Sequence, residues 1–107
     1  MKITRLKDVR PVLDIDNIKG RIVYDHEEAQ AVVITIEPGG KLKPHKTPVD
    51  IFIYVLDGEG IFSAGNEKEK LKKNELIEIS KTVPHGIENN SVKTLTVMVL
   101  KAPKPKQ

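Results

Sequence analysis

The sequence contains no cysteine, which excludes a disulfide framework, a thiolate metal site and a cysteine nucleophile. Aromatic residues make up only 4% of the chain, so the core has to be built from valine, isoleucine and leucine. No apolar run approaches the ~20 residues of a membrane-spanning helix, and we expect a cytoplasmic location without membrane contact. Neither a nucleophile elbow nor a glycine-rich loop before a helix occurs, which argues against a triad hydrolase and a nucleotide-binding protein.

The charged residues are spread along the chain. Eighteen basic and fifteen acidic residues leave a formal charge of +3, and lysines are interspersed with glutamates as on a solvated surface. Lysines lie closer together at Lys41, Lys43 and Lys46 and within residues 101–107, where they would attract an anion. Because no aromatic platform or recognition helix accompanies them, we expect no nucleic-acid binding.

Short apolar segments recur along the chain and are separated by glycine, asparagine and proline, which form turns and interrupt helices. With 107 residues the chain fits one domain, and this pattern predicts an all-β domain. Its core is placed at about residues 20–100, and residues 101–107 are expected to form a mobile tail. The predicted strands are 21–25, 29–37, 51–56, 60–64, 68–72, 76–79 and 92–100, with 3–6 as a candidate edge strand.

Three segments, 31–36, 51–56 and 95–100, are apolar at nearly every position. Strands of this kind are covered on both faces. One face would line the interior of an antiparallel barrel, and the other would meet a second sheet or a partner subunit. We therefore expect a homodimer.

The segments 51–56 and 60–64 are joined by residues that favour a tight turn. Gly58 and Gly60 bracket this reversal, and glycine adopts the backbone angles of hairpin turns at little steric cost. The sequence therefore predicts a β-hairpin over 51–64.

Three histidines are the nitrogen ligands that this chain can offer to a metal: His26, His45 and His85. His45 precedes the predicted strand 51–56, and His85 follows the strand 76–79, so each lies near a strand end, where barrels form pockets. His26 lies among acidic residues, in a segment that favours a solvated turn. His45 and His85 are therefore the candidate metal ligands, with His26 as a weaker third.

The residues around His45 and His85 resemble the two motifs of the cupin superfamily. Residues 39–58 contain a glycine pair, a histidine and a closing glycine like the first motif, and residues 74–89 end in a histidine and Asn89 like the second. The resemblance implies a cupin-type double-stranded β-helix, an antiparallel jelly-roll barrel that is often dimeric. For many members it also implies a divalent metal, here Zn, Ni, Fe or Mn.

The chain departs from that pattern at two metal-ligand positions. Where the metal-binding relatives have a second histidine and a glutamate, this chain has Thr47 and Ile51. We do not expect Asp50 to replace the glutamate, because strand side chains alternate and Asp50 would lie on the opposite face from Ile51, unless the Thr47-Pro48 turn shifts the register by one residue. An apolar residue there also removes the negative charge that offsets a dication.

We carry three hypotheses from the sequence. The first is a small-molecule-binding cupin whose ligand pocket is lined by His45, Thr47, Ile51, Ile53, Phe62, His85 and Ile87. The second is a metal-dependent isomerase or dioxygenase with an incomplete metal shell on His45 and His85, and the third is an assembly module that acts through its outer sheet. Purely structural roles also stay open: a strand-end contact for His85, a turn fixed by Asn89, and a satisfied hydroxyl at Thr47.

Overall fold

The computed structural model describes residues 1–106, which form ten strands after one 3₁₀ turn at Leu6–Asp8. This part of the chain has no α-helix, and no helix in it is long and apolar enough to cross a membrane. The prediction of an all-β domain is confirmed. The strands are β1 (Leu13–Ile15), β2 (Ile18–His26), β3 (Ala29–Ile36), β4 (Lys41–His45), β5 (Asp50–Asp57), β6 (Glu59–Ala64), β7 (Glu67–Lys72), β8 (Leu76–Ile79), β9 (His85–Glu88) and β10 (Leu95–Ala102).

The strands form two antiparallel sheets, one ordered β1-β2-β3-β10-β5-β8 and the other β4-β9-β6-β7. Strand β3 shows how the apolar segments are used. Val32, Ile34 and Ile36 belong to the core between the sheets, while Ala31 and Val33 are also buried on the other face. A strand apolar on both faces therefore lies within the larger sheet, as expected for a strand covered on two sides.

The predicted hairpin over residues 51–64 is wrong. Strand β5 pairs with β8 and β10, whereas β6 pairs with β7 and β9. Gly58 alone separates β5 from β6, and a single residue is too short for the two-residue turn of a tight hairpin. With a φ of 83°, Gly58 instead turns the chain from the larger sheet into the smaller one. The tight hairpin of this region joins β6 to β7 through Gly65 and Asn66.

The candidate edge strand at residues 3–6 is also wrong, because it pairs with no other segment and ends in the 3₁₀ turn. The edge is formed by β1, which pairs with β2 across a tight turn. Asn17 in that turn has a φ of 65°, a conformation that asparagine tolerates better than most residues.

Strand β10 runs to Ala102, beyond the predicted end at Leu100. Lys101, which the sequence placed in the tail, pairs with Gln30 of β3 and Ile51 of β5. Beyond the strand, the backbone N–H of Lys104 donates to the Glu27 carbonyl at 3.0 Å. Residues 101–104 are therefore held against the sheet.

The outer face of the larger sheet carries half-buried apolar side chains. Phe52 and Tyr54 of β5 lie opposite Leu100 and Met98 of β10 in the strand register. This face has the composition expected of a contact surface. The homodimer and the assembly module stay predictions.

Candidate functional site

The two histidines are brought together by strands β4 and β9, neither of which is among the strands predicted from the sequence. His45 is the last residue of β4 and His85 the first of β9, and the two are direct cross-strand partners. Their ring centroids are 4.5 Å apart, with the planes tilted by 58°. His85 is 4% exposed, whereas His45 is exposed at the mouth of the site.

Backbone carbonyls orient both imidazole rings. Nδ1 of His85 lies 3.0 Å from the Val83 oxygen, and Nδ1 of His45 lies 3.3 Å from the Lys43 oxygen. A ring nitrogen facing a carbonyl oxygen carries the proton, because an N–H donates and two acceptors would repel. In its neutral form His85 thus keeps a lone pair on Nε2, and this atom lies 3.5 Å from the Thr47 hydroxyl oxygen.

The surroundings of His85 disfavour its charged form. Burial lowers the pKa of His85 below its ordinary value of 6.5, and the positive charges of His45 and Lys101 lower that pKa further. The hydrogen bond to Val83 acts in the opposite direction but is outweighed by burial. His85 is therefore a neutral acceptor at neutral pH.

Acidification is expected to destabilise the fold through His85. Because its pKa is lower in the folded chain than the ordinary 6.5, unfolding takes up a proton once the pH falls below that value. This contribution to stability is present above pH 6.5 and is lost as the pH falls toward the folded-state pKa. Replacing His85 by glutamine should flatten the pH dependence of the unfolding free energy between about pH 6.5 and 5, above the carboxylate range.

Urea unfolding at a series of pH values measures this effect. His26→Gln is the matched control, because His26 is exposed and its ring stacks on Tyr24 at 4.2 Å. The pH dependence of the unfolding free energy should be flatter in His85→Gln than in this control. An unaltered slope in His85→Gln would rule out burial of this imidazole as the cause.

A cavity of about 200 Å³ lies between the two sheets. Six of the seven predicted pocket residues line it: His45, Thr47, Ile51, Ile53, His85 and Ile87. Phe62 does not, although it is 1% exposed, because it packs in the core with its ring close to Gly60. The other walls are mainly aliphatic, so the polar groups form a minority of the lining.

Two polar lining residues were missed by the sequence analysis, Gln30 and Lys101. They are cross-strand partners on β3 and β10. Gln30 is buried, and its Nε2 donates to Asp25 at 3.3 Å. Strand alternation could have found Lys101, because Val97 and Val99 point inward and the next inward position is 101.

The residues of the site do not fit a resident divalent metal. Within residues 1–106, no three or more histidine, cysteine, aspartate or glutamate side chains are placed to hold one ion. His26 does not line the cavity, and Asp50 Oδ1 instead accepts the backbone N–H of Lys81 at 2.8 Å. Two imidazoles without a carboxylate, close to the ammonium of Lys101, make a poor site for a dication.

Comparison with known proteins agrees with this architecture. Residues 32–101 match the family model described as "Cupin domain". Over 63 residues the chain is 38% identical to the uncharacterized protein MJ1618 of Methanocaldococcus jannaschii, a match over 56% of this chain and 50% of that protein. The chain thus spans about half the length of that curated relative.

Solved structures show the same fold at low identity. A cupin from Shewanella frigidimarina superposes with a TM-score of 0.87 at 15% identity, over 97% of this chain and 92% of that one. The polyketide cyclase RemF from Streptomyces resistomycificus gives a TM-score of 0.86 at 20% identity, over 100% of this chain and 82% of the cyclase. With the family model covering most of the residues from β3 to β10, the chain belongs to the cupin domain family.

Proposed function

We propose that this chain binds a small organic molecule in the cavity between its sheets, without a metal ion. The observation that carries the proposal is the arrangement of the lining. Aliphatic side chains form most of the wall, and His45, His85, Thr47, Gln30 and Lys101 supply a small polar set. Ligand sites typically combine an apolar wall with a few convergent polar groups.

The size of the cavity sets the size of the ligand. At about 200 Å³ it is smaller than the ~300–1,000 Å³ of pockets for drug-sized molecules. The cavity therefore fits a molecule smaller than a drug-sized one. His45 at the mouth remains exposed and provides a route of entry.

The alternative function, a metal-dependent isomerase or dioxygenase, is not favoured by the donor set. It would need a carboxylate or third imidazole beside His45 and His85, and the cavity lining contains no aspartate or glutamate. The lining also lacks serine, cysteine and tyrosine, and its one hydroxyl, that of Thr47, lies at the long distance of 3.5 Å from Nε2 of His85. Binding is the function that these groups support directly.

Filling the cavity is expected to weaken binding without unfolding the protein. Val99 lines the cavity, and a Val99→Phe variant places a larger apolar ring in that space. Binding of small neutral and anionic molecules, followed by amide chemical shifts in the presence of a chelator, should weaken at least about tenfold. Stability should change little, since the added volume enters existing space rather than a filled core.

Met98→Phe is the matched control, because it puts the same ring on the adjacent position of β10. Met98 lies on the outer face of the sheet and does not line the cavity. The control should bind as the wild type does. If no compound of the set shifts the cavity amides of the wild-type protein, or if Val99→Phe binds normally, the proposed function is wrong.

A further inference from the structure

Apart from the two histidines, the cavity lining contains one ionisable side chain, the basic amine of Lys101. Lys101 lies on β10 with Gln30 and Ile51 as its neighbours on the adjoining strands. It is half-buried and lines the cavity. The cavity is therefore electropositive, since its lining has no carboxylate to balance this charge.

Within residues 1–106, the ammonium of Lys101 has no carboxylate within 4.0 Å. The ion pairs of that part of the chain join Glu59 to Lys70, Asp57 to Lys93 and Asp25 to Lys104. Burial lowers the pKa of Lys101 below its ordinary 10.5, the response of a cation that has lost water without gaining a counter-ion. A half-buried lysine at the cavity lining, with no carboxylate partner of its own, attracts an anion.

The two histidines of the cavity lining favour a different ligand group from the anion that Lys101 favours. With Nδ1 of His85 donating to the Val83 oxygen, its Nε2 is an acceptor, and the same orientation applies to His45 and the Lys43 oxygen. An acceptor binds a hydroxyl group better than it binds a carboxylate. The lining thus offers a cationic donor for an anion and an imidazole Nε2 acceptor for a hydroxyl.

We infer that the ligand is a small hydroxycarboxylate with a short aliphatic body. Its carboxylate pairs with the ammonium of Lys101, its hydroxyl donates to an imidazole Nε2, and its carbon chain contacts the aliphatic wall. This inference rests on the proposed function, because it specifies the chemistry of a molecule bound in the same cavity. The exposed Lys43 and Lys46 near the mouth raise the local concentration of anions.

Three probe molecules separate these contributions: 3-hydroxybutyrate, butyrate and 1,3-butanediol. Each is titrated into the 107-residue protein at neutral pH and followed by amide chemical shifts. The hydroxycarboxylate should bind most tightly, butyrate more weakly because it lacks the hydroxyl, and the uncharged diol more weakly than the hydroxycarboxylate because it lacks the carboxylate. Equal affinities for 3-hydroxybutyrate and the diol would overturn the inference.

The decisive variant is Lys101→Met, which keeps a long side chain and removes the charge. The affinity for 3-hydroxybutyrate should fall about tenfold to a hundredfold, as expected for the loss of a contact to a charged group. The affinity for the diol should stay as in the wild type, which a merely structural role of Lys101 would not predict. Lys104→Met is the control, because Lys104 is paired with Asp25 at 2.8 Å outside the cavity lining.

The outcomes separate this inference from the proposed function. If neutral molecules bind in the cavity and Lys101→Met leaves 3-hydroxybutyrate binding unchanged, the inference of a hydroxycarboxylate ligand is wrong. The proposed binding of a small molecule is then still supported. If neither these probes nor any other small molecule shifts the cavity amides, both are wrong. Retained binding of 3-hydroxybutyrate in Lys101→Arg, with loss in Lys101→Met, would support the role of the charge.

Discussion

Replacing Asn89 by alanine is expected to destabilise the fold by about 3 kcal/mol, because it leaves several buried polar groups without partners. The side chain of Asn89 is 0% exposed. Its Nδ2 donates to the carbonyls of Ile36 and Lys93, both at 2.8 Å. Its Oδ1 accepts the backbone N–H of Ser91 at 2.9 Å and the Ser91 hydroxyl at 2.7 Å.

Those contacts connect the end of β9 to the end of β3 and to the start of β10. The backbone of Asn89 is also tied down, since its N–H donates to Gly40 at 3.0 Å and its carbonyl accepts from Gly39 at 2.8 Å. Alanine keeps these backbone bonds but loses every side-chain bond. The loss is large against the ~5–15 kcal/mol total stability of a typical domain.

Urea unfolding measured on Asn89→Ala and Asn90→Ala tests this expectation. Asn90 is the adjacent residue and is exposed, and no side-chain hydrogen bond of Asn90 occurs in the part of the chain that the structure describes. Its replacement should change stability by less than about 0.5 kcal/mol. Similar losses of unfolding free energy in the two variants would show that the side-chain hydrogen bonds of Asn89 do not stabilise the contact between the ends of β9 and β3 and the start of β10.

Gly58→Ala is expected to destabilise the fold by about 3–5 kcal/mol, one of the largest effects that a single methyl group produces. Gly58 has a φ of 83°, a region that costs an L-residue roughly 1–2 kcal/mol. A Cβ at this position would also lie 2.5 Å from the backbone oxygen of Thr94 and 3.1 Å from Leu95 Cα. Relieving that contact requires the start of β10 to move away from the crossing between the sheets.

Gly39→Ala separates the two causes. Gly39 has a φ of 88°, but a Cβ there would meet nothing within 4 Å. This variant should therefore lose only the conformational part, about 1–2 kcal/mol. Thermal and urea unfolding of the two variants measure the difference between their losses of unfolding free energy. Equal losses would mean that the contact of the new Cβ with Thr94 is relieved at no cost in stability.

The fold class was accessible from the sequence because turn residues and apolar segments alternate at short spacing. Strands β5 to β8 were placed within two residues of their ends. The connection between β5 and β6 was misjudged for a physical reason. Two apolar segments around Gly58 have the same pattern whether they pair or enter different sheets, and pairing is decided by partners that are distant in sequence.

The candidate site was predicted in part. The motifs around His45 and His85 identified two residues that the structure places as cross-strand partners, and alternation correctly placed Asp50 away from the cavity. Lys101 was missed because a lysine after the last strongly apolar segment suggests a solvated tail. The register of β10 between β3 and β5 shows that the strand continues through position 101, where alternation from Val97 and Val99 places the side chain inward.

The position of β10 has a consequence for how the chain folds. The last strand in the sequence lies in the middle of the larger sheet, between β3 and β5. During synthesis, the edges of β3 and β5 that face β10 therefore stay unpaired until residues 95–102 leave the ribosome. Until then these edges can pair with other chains. When β10 pairs with β3 and β5, it also brings Lys101 to the cavity lining. The larger sheet and the cavity are therefore completed in the same folding step.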